Sequence, residues 1–205
     1  MTSQVRLARV IVGGTPAAWL GAGFSVDDHG RVPFVNGALE LVGERSGLLG
    51  LVVDGWERPD PMPLDVEGIP LSGGAAAPPI GHPNGAFELD HIVIMTDSLE
   101  RTSEAVAKTL GLECRRIRET ANVRQAFHRF ADRGCIIEIV EQDGLDRVSL
   151  WGLVVNVADL DAVIEAQGSD SLGAARTAVQ PGRRIATFRS GAGLGIPVAL
   201  MTPDS

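Results

Sequence analysis

The chain has 205 residues, 44% of them hydrophobic, with a formal net charge of −8 and a pI near 5.0. An apolar share of this size builds a real core. The acidic charge is spread along the chain, without the concentrated Lys and Arg that phosphate binding needs, which argues against nucleic acid or an anionic membrane face as a partner. No apolar stretch is long enough to span a bilayer, Arg6 and Arg9 interrupt the only early apolar run, and Cys114 and Cys135 form no C-x-x-C pattern, so a soluble cytoplasmic protein with reduced thiols is expected.

In chain order, Val5 to Val12 reads as a strand, Pro16 to Leu20 as a short helix, and Val32 to Val42 and Leu48 to Val53 as strands. This front unit, residues 1–56, lacks a full-length helix and a clear second strand. Residues 57–86 hold seven of the twelve prolines and the run Gly73-Gly74-Ala75-Ala76-Ala77, the composition of a linker or wrapping arm. Leu89 to Met95 is short and β-branched, hence a strand. Ser98 is placed as a helix cap, and Leu99, Ala105, Val106 and Leu110 fall on one helical stripe that Gly111 closes. Leu112 to Arg118, Arg124 to Phe130 and Cys135 to Val140 read as three more strands, with a turn around Asp132-Arg133-Gly134. The basic run Arg115, Arg116, Arg118 is then a solvated strand edge.

The order strand, helix, strand, strand, strand then recurs. Leu150 to Asn156 is a strand, Asp159 to about Gln167 a helix, Thr177 to Gln180 a short extended piece, and Arg184 to Ser190 and Gly195 to Met201 match Arg124 to Phe130 and Gly134 to Val140. Equivalent positions lie about 60 residues apart, and such repetition is hard to produce by accident. The glycine-rich pieces at residues 13–16 and 191–195 lack the spacing of a phosphate-binding loop and read as tight turns. Alternation along the strand places Trp151 away from Gly152, against the helix layer, and His128 on the face opposite Gln125 and Phe127, at the surface.

The residues Leu89-Asp90-His91-Ile92-Val93-Ile94, Asp97-Ser98-Leu99-Glu100-Arg101 and Ile136-Ile137-Glu138-Ile139-Val140, with Trp151-Gly152-Leu153-Val154-Val155 and Gln180-Pro181-Gly182-Arg183-Arg184, resemble the vicinal-oxygen-chelate superfamily of glyoxalases, bleomycin-resistance proteins and extradiol dioxygenases. The resemblance covers residues 87–203 well and residues 5–55 faintly. It implies an α+β fold of repeated βαβββ modules, with residues 87–143 and 148–203 paired into an open curved-sheet cup and a degenerate front module left over.

The resemblance also implies that metal-using members draw one ligand from the first and last strand of each module. Here the first module supplies His91 and Glu138, but the equivalent positions in the second are Gly152 and Ala199, and in the front copy they fall near Arg9 and Leu51. His128 and Glu141 are the only nearby candidates to complete a set. No cofactor is therefore expected, and a divalent metal held by His91 and Glu138 is the rival reading. The first reading is a small-molecule binding protein, or a metal-independent enzyme with His91 as base and Glu138 orienting it. In it, Gln125, Phe127, Arg129 and Arg184 line the ligand pocket. The alternative is a metal-dependent lyase, isomerase or dioxygenase of the glyoxalase type, and a third reading makes His91 and Glu138 a structural remnant. An unpaired front module would expose strand edges and an apolar face, which predicts a homodimer.

Overall fold

Alternating β-branched runs, cut at short intervals by glycine and proline, fold into two mixed sheets with few helices. A computed structural model describes residues 5–43, 45–55, 64–131 and 133–204 of the chain. The expected turn residue Asp132 and the linker prolines Pro59, Pro61 and Pro63 lie outside the described residues.

The larger sheet is built from two modules. The first comprises β7 (Ala86–Thr96), α2 (Leu99–Leu110), β8 (Cys114–Glu119), β9 (Arg124–Arg129) and β10 (Ile136–Glu141). The second comprises β11 (Ser149–Val157), α3 (Leu160–Gln167), β12 (Arg176–Thr177), β13 (Arg184–Thr187) and β14 (Val198–Met201). Strand order is β12-β13-β14-β11-β7-β10-β9-β8. The two first strands meet antiparallel at the centre, each with its module's last strand parallel on its outer side. The cross-strand pairs His91 with Val154 and Val93 with Gly152 are reciprocal, as a two-fold relation between modules requires. The paired βαβββ architecture read from the repeat is the one observed.

Six strands form the smaller sheet: β1 (Arg6–Gly13), β2 (Arg31–Phe34), β3 (Gly37–Leu41), β4 (Gly47–Asp54), β5 (Leu64–Val66) and β6 (Ile69–Gly73), in the order β2-β3-β1-β4-β6-β5. Among the described residues, the helix here is α1 (Pro16–Gly21). This arrangement differs from a single unpaired front module. β4, antiparallel to β1, opens a second unit, with no helix among its described residues, that takes β5 and β6 from the stretch expected to be a linker. Among the described residues of that stretch, 74–85 form the long run without strand or helix. The front unit is thus paired within its own chain, and the ground for expecting a homodimer, an uncovered module, is removed.

One continuous core joins the sheets: Val10, Val12 and Val53 of the front belong to the same buried cluster as Ile92, Ile94, Leu153 and Val155. α2 covers β9 and β10, while β4 lies on β11 and β2 and β3 lie on β7. Asn36 ties them further, donating to the Leu89 carbonyl (2.8 Å) and accepting the Leu89 N–H (2.9 Å). Gly195 has φ +78°, and a Cβ there would fall 2.1 Å from the Gly13 carbonyl oxygen, so only glycine fits where the halves touch. With this face covered on both sheets, the opposite face of the larger sheet is left open.

Helix starts differ in detail from the sequence reading. Ser98 makes no side-chain cap to α2; the Leu99 N–H instead donates to Glu141 at the end of β10 (2.9 Å). Asp159 does cap α3, accepting from the Ala162 N–H at 3.0 Å.

Candidate functional site

On the open face, strands β7, β10, β11, β13 and β14 enclose a cavity of about 430 Å³. Its walls are mostly apolar, including Val93, Met95, Val140, Leu153, Val154, Ile185, Pro197 and Ala199. His91 and Glu138 supply its polar floor, from adjacent parallel strands, with Nε2 of His91 3.2 Å from a Glu138 carboxylate oxygen. Both side chains are largely buried.

A backbone irregularity organises the floor. The β7–β11 register steps from Leu89 directly to His91, leaving Asp90 unpaired. Successive residues of a regular strand face opposite sides, but a bulge turns the extra residue and kinks the strand. Asp90 thereby reaches its own neighbour, accepting from Nδ1 of His91 at 2.7 Å. The other oxygen of Asp90 pairs with Arg183 at 2.8 Å, and the Arg183 side chain is 4% exposed. Arg183 also donates to Asn156 (2.5 Å) and to the Thr202 carbonyl (2.7 Å). On the far side, Gln125 donates to Glu138, and Arg118 donates to the Gln125 carbonyl oxygen at 2.6 Å, which fixes which end of the amide faces Glu138. Burial alone would raise the Asp90 pKa; the hydrogen bond and charge of His91 and the Arg183 guanidinium outweigh it, so the carboxyl is held below its ordinary value. The imidazole is thus pinned at Nδ1 by an ionised carboxylate, and Nε2, shared with Glu138, faces the cavity.

The other residues singled out from sequence divide. Gln125 supports Glu138 from β9. Phe127 pairs across from Glu138 in the β9–β10 ladder but lines a different space, next to Ile136. Arg129 turns away and donates to the carbonyls of Gly134 and Arg133. Arg184 is outside the cup, in a two-pronged pair with Asp161 of α3 (2.7 and 2.8 Å). Its neighbour Arg183 is the arginine that reaches the floor. His128 is fully buried rather than at the surface, with its nitrogens engaged by Ser103 and the Leu112 carbonyl. Trp151 sits at the second module's bulge, the counterpart of Asp90; it lines the cavity and is 54% exposed, not packed under the helices.

A larger cavity of about 880 Å³ lies at the end of β9, against Val5 and the turn after α2. Of its polar side chains, His128 and Arg129 are engaged by main-chain carbonyls and Ser103, while Glu113, Arg115 and Arg133 also line it. The smaller cavity, which holds the His91–Glu138 contact on its floor, is the candidate site.

Would the site hold a divalent metal? Asp90 lies on the Nδ1 edge of His91 and Glu138 on the Nε2 edge, so the two carboxylates cannot converge on one ion with that imidazole. The strand registers place Gly152 and Ala199 opposite His91 and Glu138 in the pseudo-two-fold, as the sequence repeat implies. A Cβ at Gly152 would stand 2.8 Å from the Pro197 carbonyl oxygen, so that position is walled off from carrying any ligand. Among the described residues, no group of three or more His, Cys, Asp or Glu side chains suits a metal. Two donors fall short of the three that catalytic zinc sites use, and the residues present do not fit such an ion.

The same registers carry into the front sheet. Arg9 and Glu40 occupy the positions of His91 and Glu138 and form an ion pair at 2.6 Å, so the last-strand counterpart there is Glu40, not Leu51. Gly50 faces Pro70 as Gly152 faces Pro197, with a Cβ 2.9 Å from that carbonyl oxygen. The signal was present in the chain: Gly50-Leu51-Val52-Val53 repeats as Gly152-Leu153-Val154-Val155, and Gly68-Ile69-Pro70-Leu71 as Gly195-Ile196-Pro197-Val198.

These paired modules and their open cup define the vicinal-oxygen-chelate, glyoxalase-like fold, and the chain has that fold. Among solved structures, it is similar to methylmalonyl-CoA epimerase from Mycobacterium tuberculosis, with 19% identity, 60% of this chain and 91% of that chain covered, and a TM-score of 0.50. It is also similar to a variant of 4-hydroxymandelate synthase from Streptomyces coelicolor, with 13% identity, 100% and 94% covered, and a TM-score of 0.67; this likeness includes the front half. No family model matches the sequence. No curated protein sequence matches it either.

Proposed function

We propose that the protein binds a small, mostly apolar molecule in the cup of its larger sheet and that His91, with Glu138, exchanges a proton with it without a metal. The observation that carries this reading is the imidazole fixed between two carboxylates at the floor of an apolar cavity. Asp90 holds Nδ1, so Nε2 and the Glu138 oxygen beside it keep one exchangeable proton facing the ligand space. A C–H next to a carbonyl is the kind of group such a pair deprotonates and reprotonates. The likeness to an epimerase agrees with this chemistry but carries the fold alone. A metal-dependent lyase, isomerase or dioxygenase is the alternative that His91 and Glu138 favour by their strand positions; the Gly152 wall and Ala199 weigh against it. We further propose two paired-module halves, residues 5–74 and 86–203. A cytosolic location suits the two free thiols, and no helix among the described residues is long and apolar enough to cross a membrane.

The test is a ligand-observed NMR screen of small apolar carbonyl compounds in deuterated water. Binders should be lost in Thr187→Trp, which fills the cup from its exposed rim. Deuterium entry next to the carbonyl should vanish in His91→Gln while binding persists. Binding indifferent to Thr187→Trp would overturn the reading.

A further inference from the structure

Besides His91 on the floor, Arg176 is the basic side chain that lines the cavity among the described residues. It stands on β12, the outermost strand of the second module, and pairs directly across from Ile185 of β13. Residues directly opposite in antiparallel strands share a face, and Ile185 lines the cavity, so Arg176 projects over the cup while Thr177 and its partner Arg184 face the other way. Asp161 accounts for that opposite-facing Arg184. Arg176 itself has no hydrogen bond or ion pair among the described residues. Trp151 of β11 also lines the cavity, half-exposed because the bulge turns it outward.

An unpaired guanidinium and an exposed indole at the rim, above an apolar wall and a floor whose acidic groups are Glu138 and the partnered Asp90, set a polarity along the cup. A ligand lying in it would place a flat apolar body along Val154, Ile185 and Ala199 and an anionic group at the rim. A planar guanidinium matches the two oxygens of a carboxylate, sulfonate or phosphate, and the exposed Trp151 ring elsewhere on the wall offers stacking to a flat apolar body. We propose that the cup selects apolar molecules bearing one anionic group and that Arg176 is the anchor for that group. This rests on the cup being the ligand site and adds the substrate class and a specificity residue.

The experiment uses two fluorescent probes with the same phenylnaphthylamine body: 1-anilinonaphthalene-8-sulfonate, which is anionic, and N-phenyl-1-naphthylamine, which is neutral. Native protein should bind the sulfonate at least tenfold more tightly. Arg176→Ala should abolish that preference while leaving affinity for the neutral probe unchanged, and Arg176→Lys should recover part of it. Arg184→Ala removes the same charge from the other face of the same strand pair and should change neither affinity. Equal binding of both probes, or an equal loss in Arg184→Ala, would overturn the proposal while leaving the cup as the site. Binding of both probes undiminished in Thr187→Trp would instead show that the cup is not the site, and the reading beneath the proposal would fall with it.

Discussion

Removing Arg183 should destabilise the protein far more than removing any other arginine near the cup. Its side chain is 4% exposed and holds Asp90 at 2.8 Å, Asn156 at 2.5 Å and the Thr202 carbonyl at 2.7 Å. Arg183→Met keeps much of the side-chain volume but leaves a buried carboxylate and two acceptors without their donor. Breaking a buried pair from one side costs about 3–5 kcal/mol. At roughly 2–4 °C per kcal/mol for a chain of this size, the midpoint of thermal unfolding should fall by roughly 10 °C. Arg184→Ala, which breaks an exposed pair with Asp161, should cost about 0–1 kcal/mol. Urea unfolding of Arg183→Met, Asp90→Asn and the double variant measures the coupling, and the double variant should lose less than the sum of the singles. The pH dependence has a defined sign. Asp90 is held below its ordinary value of 3.8, so its contribution is complete above that pH and is lost as pH falls through the lowered native value. The deficit of Arg183→Met should therefore narrow in acid, where protonation removes the uncompensated charge. A deficit under about 1 kcal/mol, or additive singles, would refute the buried Arg183–Asp90–His91 arrangement.

Gly152→Ala should cost about 1–3 kcal/mol, with Gly50→Ala similar, because each new Cβ would press on a proline carbonyl oxygen at 2.8 or 2.9 Å; unchanged urea midpoints would contradict the shared strand register. Protein purified without chelator should contain no stoichiometric zinc, nickel, manganese or iron by plasma emission spectroscopy. Close to one equivalent, lost in His91→Ala, would promote the metal-dependent alternative. His82 is pushed below its ordinary 6.5 chiefly by burial, though its bond to the Pro33 carbonyl opposes this. The unfolded chain thus takes up the proton first, and stability should be full above pH 6.5 and decline below it, with a shallower decline in His82→Gln. An identical slope in the variant would remove His82 from the acid response.

The back half was legible because two full modules repeat with their helices intact, and the register of Leu89-Asp90-His91 against Ile136-Ile137-Glu138 was implied by the family resemblance. The front half was not. Its second unit has no helix among the described residues, β5 is three residues long, and β6 contains Pro70, so proline and glycine content outweighed the short Gly-Leu-Val-Val and Gly-Ile-Pro repeats that mark it. Within the site, alternation failed at the bulges. It put Trp151 under the helices and gave Asp90 no role, since nothing in the residues Leu89 to His91 announces an extra residue in the ladder. It also could not separate Arg183 from Arg184, because only the β12–β13 turn decides which of two adjacent arginines enters the sheet and which meets α3.

The most direct test of the cup as the functional site is a chemical-shift map of the labelled protein titrated with the anionic naphthalene probe, read together with the His91 ring nitrogens. The account predicts shifts centred on Val93, Glu138, Val154 and Ala199, with a change at Nε2 of His91 and little at Nδ1, which Asp90 holds. Shifts centred on Leu110 to Arg115 and Phe130, around the larger cavity at the end of β9, with the His91 ring silent, would contradict it.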